Sequence, residues 1–295
     1  MIYIEPCGGL GNRMRALDSA IQLAQYRKTK VVVFWKVNNE LHAPFESLFE
    51  PLPKAARIHK LFNKAEGQYL NEYYDRYFTG RIKKYFKPLL IDNPEWDDCV
   101  PGKAYFKIFY DFMDGKPGYD AAFEQYSKDQ WDTLWPKKSY YLRSYSRFFG
   151  DDMSDYAYFK PVPAILEKAQ ALLSQMSDNT CGVHIRRTDQ LKAIAISTTD
   201  KYVMAMEQEI QQNPSVQFYL ATDDPNEKAF MQQQFGNRIV TAAVKYGRDN
   251  TEAIKDSLVE LYVLSKMKKI IGSYESSFTQ TATSYNGRKP YIVMK

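Results

Sequence analysis

Cysteine and histidine are scarce in this chain, and nothing groups them. Cys7, Cys99 and Cys181 are odd in number and far apart, so they form no disulfide framework. That scarcity points to a reducing, cytoplasmic setting. His42, His59 and His184 share no metal-ligand spacing, and Asp-x-Asp, which holds a divalent ion in many nucleotide-sugar enzymes, occurs nowhere. Neither a resident metal nor another cofactor is therefore expected. No apolar run approaches the ~18 residues of a spanning helix, and the start, MIYIEPCGGLGNR, lacks the basic-then-apolar pattern of a secretory signal. The net charge of +5 is a mild excess that speaks first to solubility, leaving association with an anionic membrane surface open. Basic residues are interleaved with acids and no RNA-binding signature occurs, so nucleic acid is not an expected partner.

What is present is an alternation of apolar strands and amphipathic helices. At 295 residues the chain is long enough for two domains of ~150 residues. A strand over 2–5, a glycine-rich turn, a helix over 12–27 and a strand over 30–35 make a βαβ unit of a parallel sheet. The stretch 43–159 is irregular and aromatic, and only one strand, 139–143, is predicted in it. Pro161 and Pro163 mark the boundary between an N-terminal domain, 1–160, and a C-terminal domain, 161–295, with Pro163 opening a helix to about Met176. Strands over 181–186, 216–221, 238–241, 269–272 and 291–293 then alternate with helices over 199–212, 224–235, 251–266 and 276–285. That order is Rossmann-like.

Three polar clusters fall where such a sheet binds its ligand, beyond the carboxyl ends of the strands. They are His184-Ile-Arg186-Arg187-Thr-Asp189, Thr222-Asp223-Asp224, and Ser273-Tyr-Glu-Ser276-Ser277. Side chains alternate along a strand, so His184 and Arg186 share one face and Arg187 points to the other. Arg186 then has the fork of donors that suits a phosphate, and Arg187 is read as half of a structural ion pair. Ser276 and Ser277 at a helix start offer hydroxyls and free N–H groups to an anion. The competing reading is a salt-bridge network around Arg186–Asp189 and an ordinary serine cap. In the first βαβ unit, Gly8-Gly9-Leu-Gly11-Asn12-Arg13 lets a ligand approach the backbone, although Met14 stands where a dinucleotide fingerprint has its third glycine. Together these suggest a ligand clamped between two Rossmann-like halves facing each other across a cleft.

With GGLGNR at 8–13, VHIRRTD at 183–189, FYLATDDP at 218–225 and SYESSF at 273–278, the sequence resembles the fucosyltransferase superfamily of GT-B fold, including the α1,6- and the rhizobial nodulation fucosyltransferases. The resemblance implies a metal-independent, inverting transfer of fucose from GDP-fucose to a hydroxyl of a carbohydrate acceptor. It implies that Arg186 holds the β-phosphate, that His184 contacts guanine, and that Glu260 reads the base edge. Asp223, Asp224, Ser277 and Tyr202 would line the donor pocket, and Gly11 and Asn12 would approach the diphosphate; Gly9, Arg187 and Ser276 join this donor-binding set as members of the same motifs. Gln190 and Ile194 stand where the α1,6-enzymes carry Lys and Glu, so the general base is open among Asp18, Asp189 and Glu275, with Asp189 taken beside Arg186 as catalytic. Two other readings stay open: a GT-B transferase using another nucleotide sugar, and a non-catalytic nucleotide- or glycan-binding relative.

Overall fold

The computed structural model describes residues 2–58, 90–91, 140–145, 147–150, 156, 158–188, 191–285 and 291–292. The chain divides into two compact units, Met1–Phe45 with Pro51–Asp151, and Glu46–Glu50 with Asp152–Lys295. The second unit thus takes in residues ahead of Pro161. The reason is packing: Phe159 stacks edge-on against Phe49 at 5.4 Å and its carbonyl accepts the Tyr285 hydroxyl, while Tyr156 stacks on Tyr285.

In the first unit β1 (Ile2–Pro6) is central to a five-stranded parallel sheet. Its partners are β2 (Val31–Val33) on one side and β5 (Tyr140–Ser144) on the other, with β3 (Ala56–Ile58) beyond β2 and β4 (Leu90–Ile91) beyond β5. β3 and β4 correct the expectation of a single strand between 43 and 159. Each is two or three residues long and is a strand only because a neighbour supplies its hydrogen bonds. Helix α1 (Leu10–Tyr26) buries Met14, Leu17, Ile21 and Ala24 against Ile2, Ile4 and Val31–Val33 at the 3.6-residue spacing.

The second unit is a second five-stranded parallel sheet, ordered β10-β9-β6-β7-β8. Its strands are β6 (Thr180–Ile185), β7 (Gln217–Thr222), β8 (Ile239–Thr241), β9 (Ile270–Gly272) and β10 (Tyr291–Ile292). The connecting helices are α2 (Pro163–Leu173), α3 (Leu191–Ile196), α4 (Thr199–Gln212), α5 (Pro225–Phe235), α6 (Thr251–Lys266) and α7 (Ser277–Ser284). α3 was not expected: it is short and follows a polar run with no capping signal. Val183, Ile185, Phe218, Leu220, Met206 and Ile271 form the core under β6 and β7. α6 carries Leu258, Leu261, Val263 and Leu264 fully inside, each side chain contributing roughly 1.5–3 kcal/mol. Among the described residues no helix is long and apolar enough to cross a membrane.

β6 lies between β7 and β9. The chain leaves it toward β7 on one side and returns to β9 on the other, so its carboxyl end is the switch point of the sheet, where α/β folds open a crevice.

Candidate active site

Three strand ends meet at that point. His184 pairs in register with Ala221, and Ile185 with Thr222, which sets Arg186 beside Asp223. The Arg186 guanidinium lies 2.9 Å from Asp223 Oδ2, with its side chain partly open to solvent. Asp223 also accepts the Arg187 amide at 2.7 Å and the Thr188 hydroxyl at 2.6 Å. Burial alone would raise this carboxyl, yet Arg186, Thr188 and the Arg187 amide together hold it below the ordinary carboxylate range. On the β9 side, the Arg186 amide donates to Ser273 Oγ at 2.8 Å. The backbone around Arg186 is thereby pinned from both neighbouring strands, and its guanidinium is a forked cation at the edge, aligned by Asp223.

His184 lies beneath it, buried and stacked at 4.8 Å on Phe278. Its Nδ1 is 2.7 Å from the Thr279 hydroxyl. Burial pushes the imidazole down to about 4; Asp223 pulls it back up and Arg186 lowers it further. It is therefore neutral near pH 7, and Thr279 occupies Nδ1 so that Nε2 is left for other partners. This approach requires Gly272, because a Cβ there would stand 2.1 Å from Thr279 Cγ2. Thr279→Val keeps the shape and removes the hydroxyl, and should cost about 1–3 kcal/mol by leaving buried Nδ1 unpaired. The urea midpoint measures it; an unchanged midpoint would discount the contact.

Arg187 points the other way. Nε and Nη2 reach Glu227, Nη2 also reaches Thr199 Oγ1, and Nη1 donates to the carbonyls of Ser197 and Arg186. The guanidinium lies 5.6 Å from the Tyr202 ring centre.

Glu260, on α6, is 8% exposed and makes no hydrogen bond among the described residues. Burial pushes its carboxyl up to about 8, with Lys228 lowering it and Asp256 and Asp223 raising it. Asp224 caps α5 through Oδ1, accepting the amides of Asn226 at 2.7 Å and Glu227 at 3.3 Å. Ser276 caps α7 by accepting the Thr279 amide, and Ser277 opens that helix. The cap reading of these two residues describes their geometry, and it leaves the first-turn N–H groups of α7 directed at the same strand-end edge as Arg186.

The first unit has its own ordered turn at the carboxyl end of β1. Gly8 has φ of +77°, and a Cβ on it would stand 2.6 Å from Asn12 Nδ2. Gly9 is the N-cap of α1 with no side chain to cap it, and Gly11 is buried in the first turn. Asn12 Oδ1 accepts from Arg15. Arg13, fully buried, holds the turn: it donates to the carbonyls of Gly8 and Lys36 and to Asn38 Oδ1, and lies over the Trp35 ring. Nothing in the motif's letters marks Arg13 for this buried role.

No protein-family model and no curated protein matches the chain. Solved structures do. NodZ alpha-1,6-fucosyltransferase from a crystal soaked with GDP-fucose matches over 97% of this chain and 92% of its own, at 16% identity and TM-score 0.59. Fucosyltransferase NodZ from Bradyrhizobium matches over 96% and 91%, again at 16% and 0.59. POFUT1 in complex with GDP matches over 99% and 97%, at 13% identity and TM-score 0.56. The fold is that of the fucosyltransferases. The two Rossmann-like parallel sheets expected from the motifs are present, one in each unit, consistent with a GT-B fold.

Within this fucosyltransferase-like fold, some residues assigned to the donor take other positions. Arg187 has every N–H group engaged within the protein, by Glu227, Thr199 and the carbonyls of Ser197 and Arg186, so none is left for a phosphate. Tyr202 is fully buried under the site, its hydroxyl shared between the His184 carbonyl at 3.0 Å and Ser273 Oγ at 2.6 Å. It ties the ends of β6 and β9 together from beneath the site. Among the base candidates, Asp18 is fully buried and paired with Arg147 at 2.6 Å, which closes it to an acceptor. Glu275 stands at the β9 end, half-exposed and paired with Lys192 at 3.0 Å. Asp189 and Gln190 lie outside the described residues. Ser273 was expected only as the first residue of its polar cluster and Thr279 not at all; the positions of their hydroxyls are tertiary facts that a motif does not carry.

Proposed function

We propose that this chain is a glycosyltransferase that takes fucose from GDP-fucose and delivers it, with inversion and without a metal, to a hydroxyl of a carbohydrate acceptor. The observation that carries the reading is Arg186, a partly open guanidinium aligned by Asp223 at the switch point, in a fold shared with fucosyltransferases. In the reaction the acceptor oxygen attacks C1 of fucose, the bond from C1 to the β-phosphate oxygen breaks, and the proton passes to a carboxylate. GDP departs with the charge that develops on its β-phosphate. Arg186 and the first-turn amides of α7 are fixed donors for that charge, so little reorganisation is needed as it forms. Asp189 and Glu275 are the carboxylates to test as the base, whose contribution would be about 10²–10⁴-fold.

Calorimetry with GDP, UDP, ADP and CMP in EDTA tests the donor. GDP alone is expected to bind. Tighter binding of another nucleotide would keep the transferase and discard fucose, and no binding by folded protein would overturn the reading. The closure of Asp18 by Arg147 favours one second reading, a nucleotide-binding protein without turnover; release of GDP from GDP-fucose in the presence of a glycan acceptor separates the two.

A further inference from the structure

The first unit carries a patch of one sign at the end of its sheet away from the glycine-rich turn. Helix α1 closes with the Lys28 amide donating to the Gln25 carbonyl at 3.1 Å and the Thr29 amide to the Ala24 carbonyl at 2.8 Å. Lys28 holds φ of +50°, the left-handed position that ends such a helix and is more often glycine. The chain enters β2 through Lys30, and the next amide, that of Val31, donates to the Ala55 carbonyl at 2.8 Å. Lys30 and Lys54 thus flank that hydrogen bond, one on each chain, and Arg57 pairs in register with Val32. Lys28, Lys30, Lys54 and Arg57 are exposed, and none makes an ion pair or a side-chain hydrogen bond among the described residues. The surrounding sequence supplies no acid, since no Asp or Glu occurs between Asp18 and Glu40 or between Glu50 and Glu66.

Two structural causes fall short of this pattern. A cation is favoured at a helix C-terminus, which accounts for Lys28 alone. β3 is the outer strand of the described sheet, and charge there discourages another chain from pairing, but either sign would serve. Adjacent strands lie about 4.8 Å apart and the Debye length at 0.1 M salt is about 10 Å, so the fields of these cations add. All but Arg57 are lysines, compact hydrated charges that suit a diffuse anionic layer, whereas a fixed phosphate is better met by arginine's fork. Nor do these segments offer bases a stacking platform: Tyr26 is half-buried, its ring 5.4 Å from that of Phe149.

We propose that this patch docks the protein peripherally on a membrane surface of anionic phospholipids. β1, β2 and β3 run parallel, so the amino ends of β2 and β3 lie opposite the carboxyl end of β1, and docking leaves the Gly8–Asn12 turn uncovered. The attachment is electrostatic: each Lys or Arg near such a surface strengthens it about fivefold, and salt removes it.

Co-sedimentation of the full chain with phosphatidylcholine vesicles, plain or with about 30% phosphatidylserine, tests the docking. At about 0.05 M salt the protein should pellet with the anionic vesicles and not with the plain ones, and about 0.5 M salt should release it. Lys28→Asn, Lys30→Gln and Lys54→Gln together should weaken partitioning on the order of a hundredfold, with the urea midpoint unchanged. Lys160→Gln, Lys245→Gln and Lys268→Gln, at exposed lysines of the second unit, remove the same charge elsewhere and should weaken it far less. Equal losses in the two variants would reduce the effect to net charge and overturn the patch. Failure to bind the anionic vesicles, equal binding to plain ones or indifference to salt would overturn it too, on wild type alone, whether or not a variant folds. Retention of duplex DNA by protein that ignores both vesicles would overturn it in favour of nucleic acid.

Discussion

Arg186→Ala is expected to cut GDP release from GDP-fucose by about 10²–10³-fold with an acceptor present, and to leave the protein folded. The loss has a single cause. In the proposed reaction the guanidinium meets a charge that grows as the C1–O bond breaks, so kcat should fall more than KM rises. The fold should survive because Asp223 keeps the Thr188 hydroxyl and the Arg187 amide, and because the Arg186 backbone keeps Ser273. Arg186→Lys, which keeps the charge and loses the fork, should fall between. Turnover near wild type in the alanine variant would remove Arg186 from the chemistry.

One residue further, the same substitution type should do the opposite. Arg187→Met is expected to destabilise the second unit by about 3–5 kcal/mol, because Glu227 is left nearly buried with its charge and only the Thr199 hydroxyl to hold it. Thermal unfolding should move down by roughly 10 °C or more. Pairing it with Glu227→Leu removes the stranded charge and should recover much of the loss, since an apolar pair can replace a buried ion pair. If the single variant melts like wild type, the network joining β6, α4 and α5 is not what holds that layer.

These two arginines show what a strand pattern can and cannot carry. Period-two alternation placed them on opposite faces, and the structure shows Arg187 in a saturated pair and Arg186 at the edge. The helices and strands after Pro161 were legible for the same reason: their apolar spacing is local, and Pro163, Asp224 and Asn250 mark helix starts in the letters themselves. β3, β4 and α3 were not legible, because their hydrogen bonds or packing come from distant partners. Tyr202 shows another limit. A motif position carried over by likeness says that a residue is near a site, and only depth says whether it faces the ligand or braces the strands beneath. Asp18 is a similar case: nothing near it in sequence announces its pairing with Arg147.

The order of the second sheet has a consequence for synthesis. β6, β7 and β8 emerge one after another and can pair as a growing layer while the ribosome is still at work. β9 joins β6 from the other side only after α6 has been made, and until then the Arg186 amide has no Ser273, Tyr202 no second oxygen, and His184 no Thr279. Non-local pairing of this kind closes late. A nascent chain that already contains Arg186, His184 and Asp223 therefore holds the letters of the site without its shape, and that shape arrives in one step when the last βα unit docks.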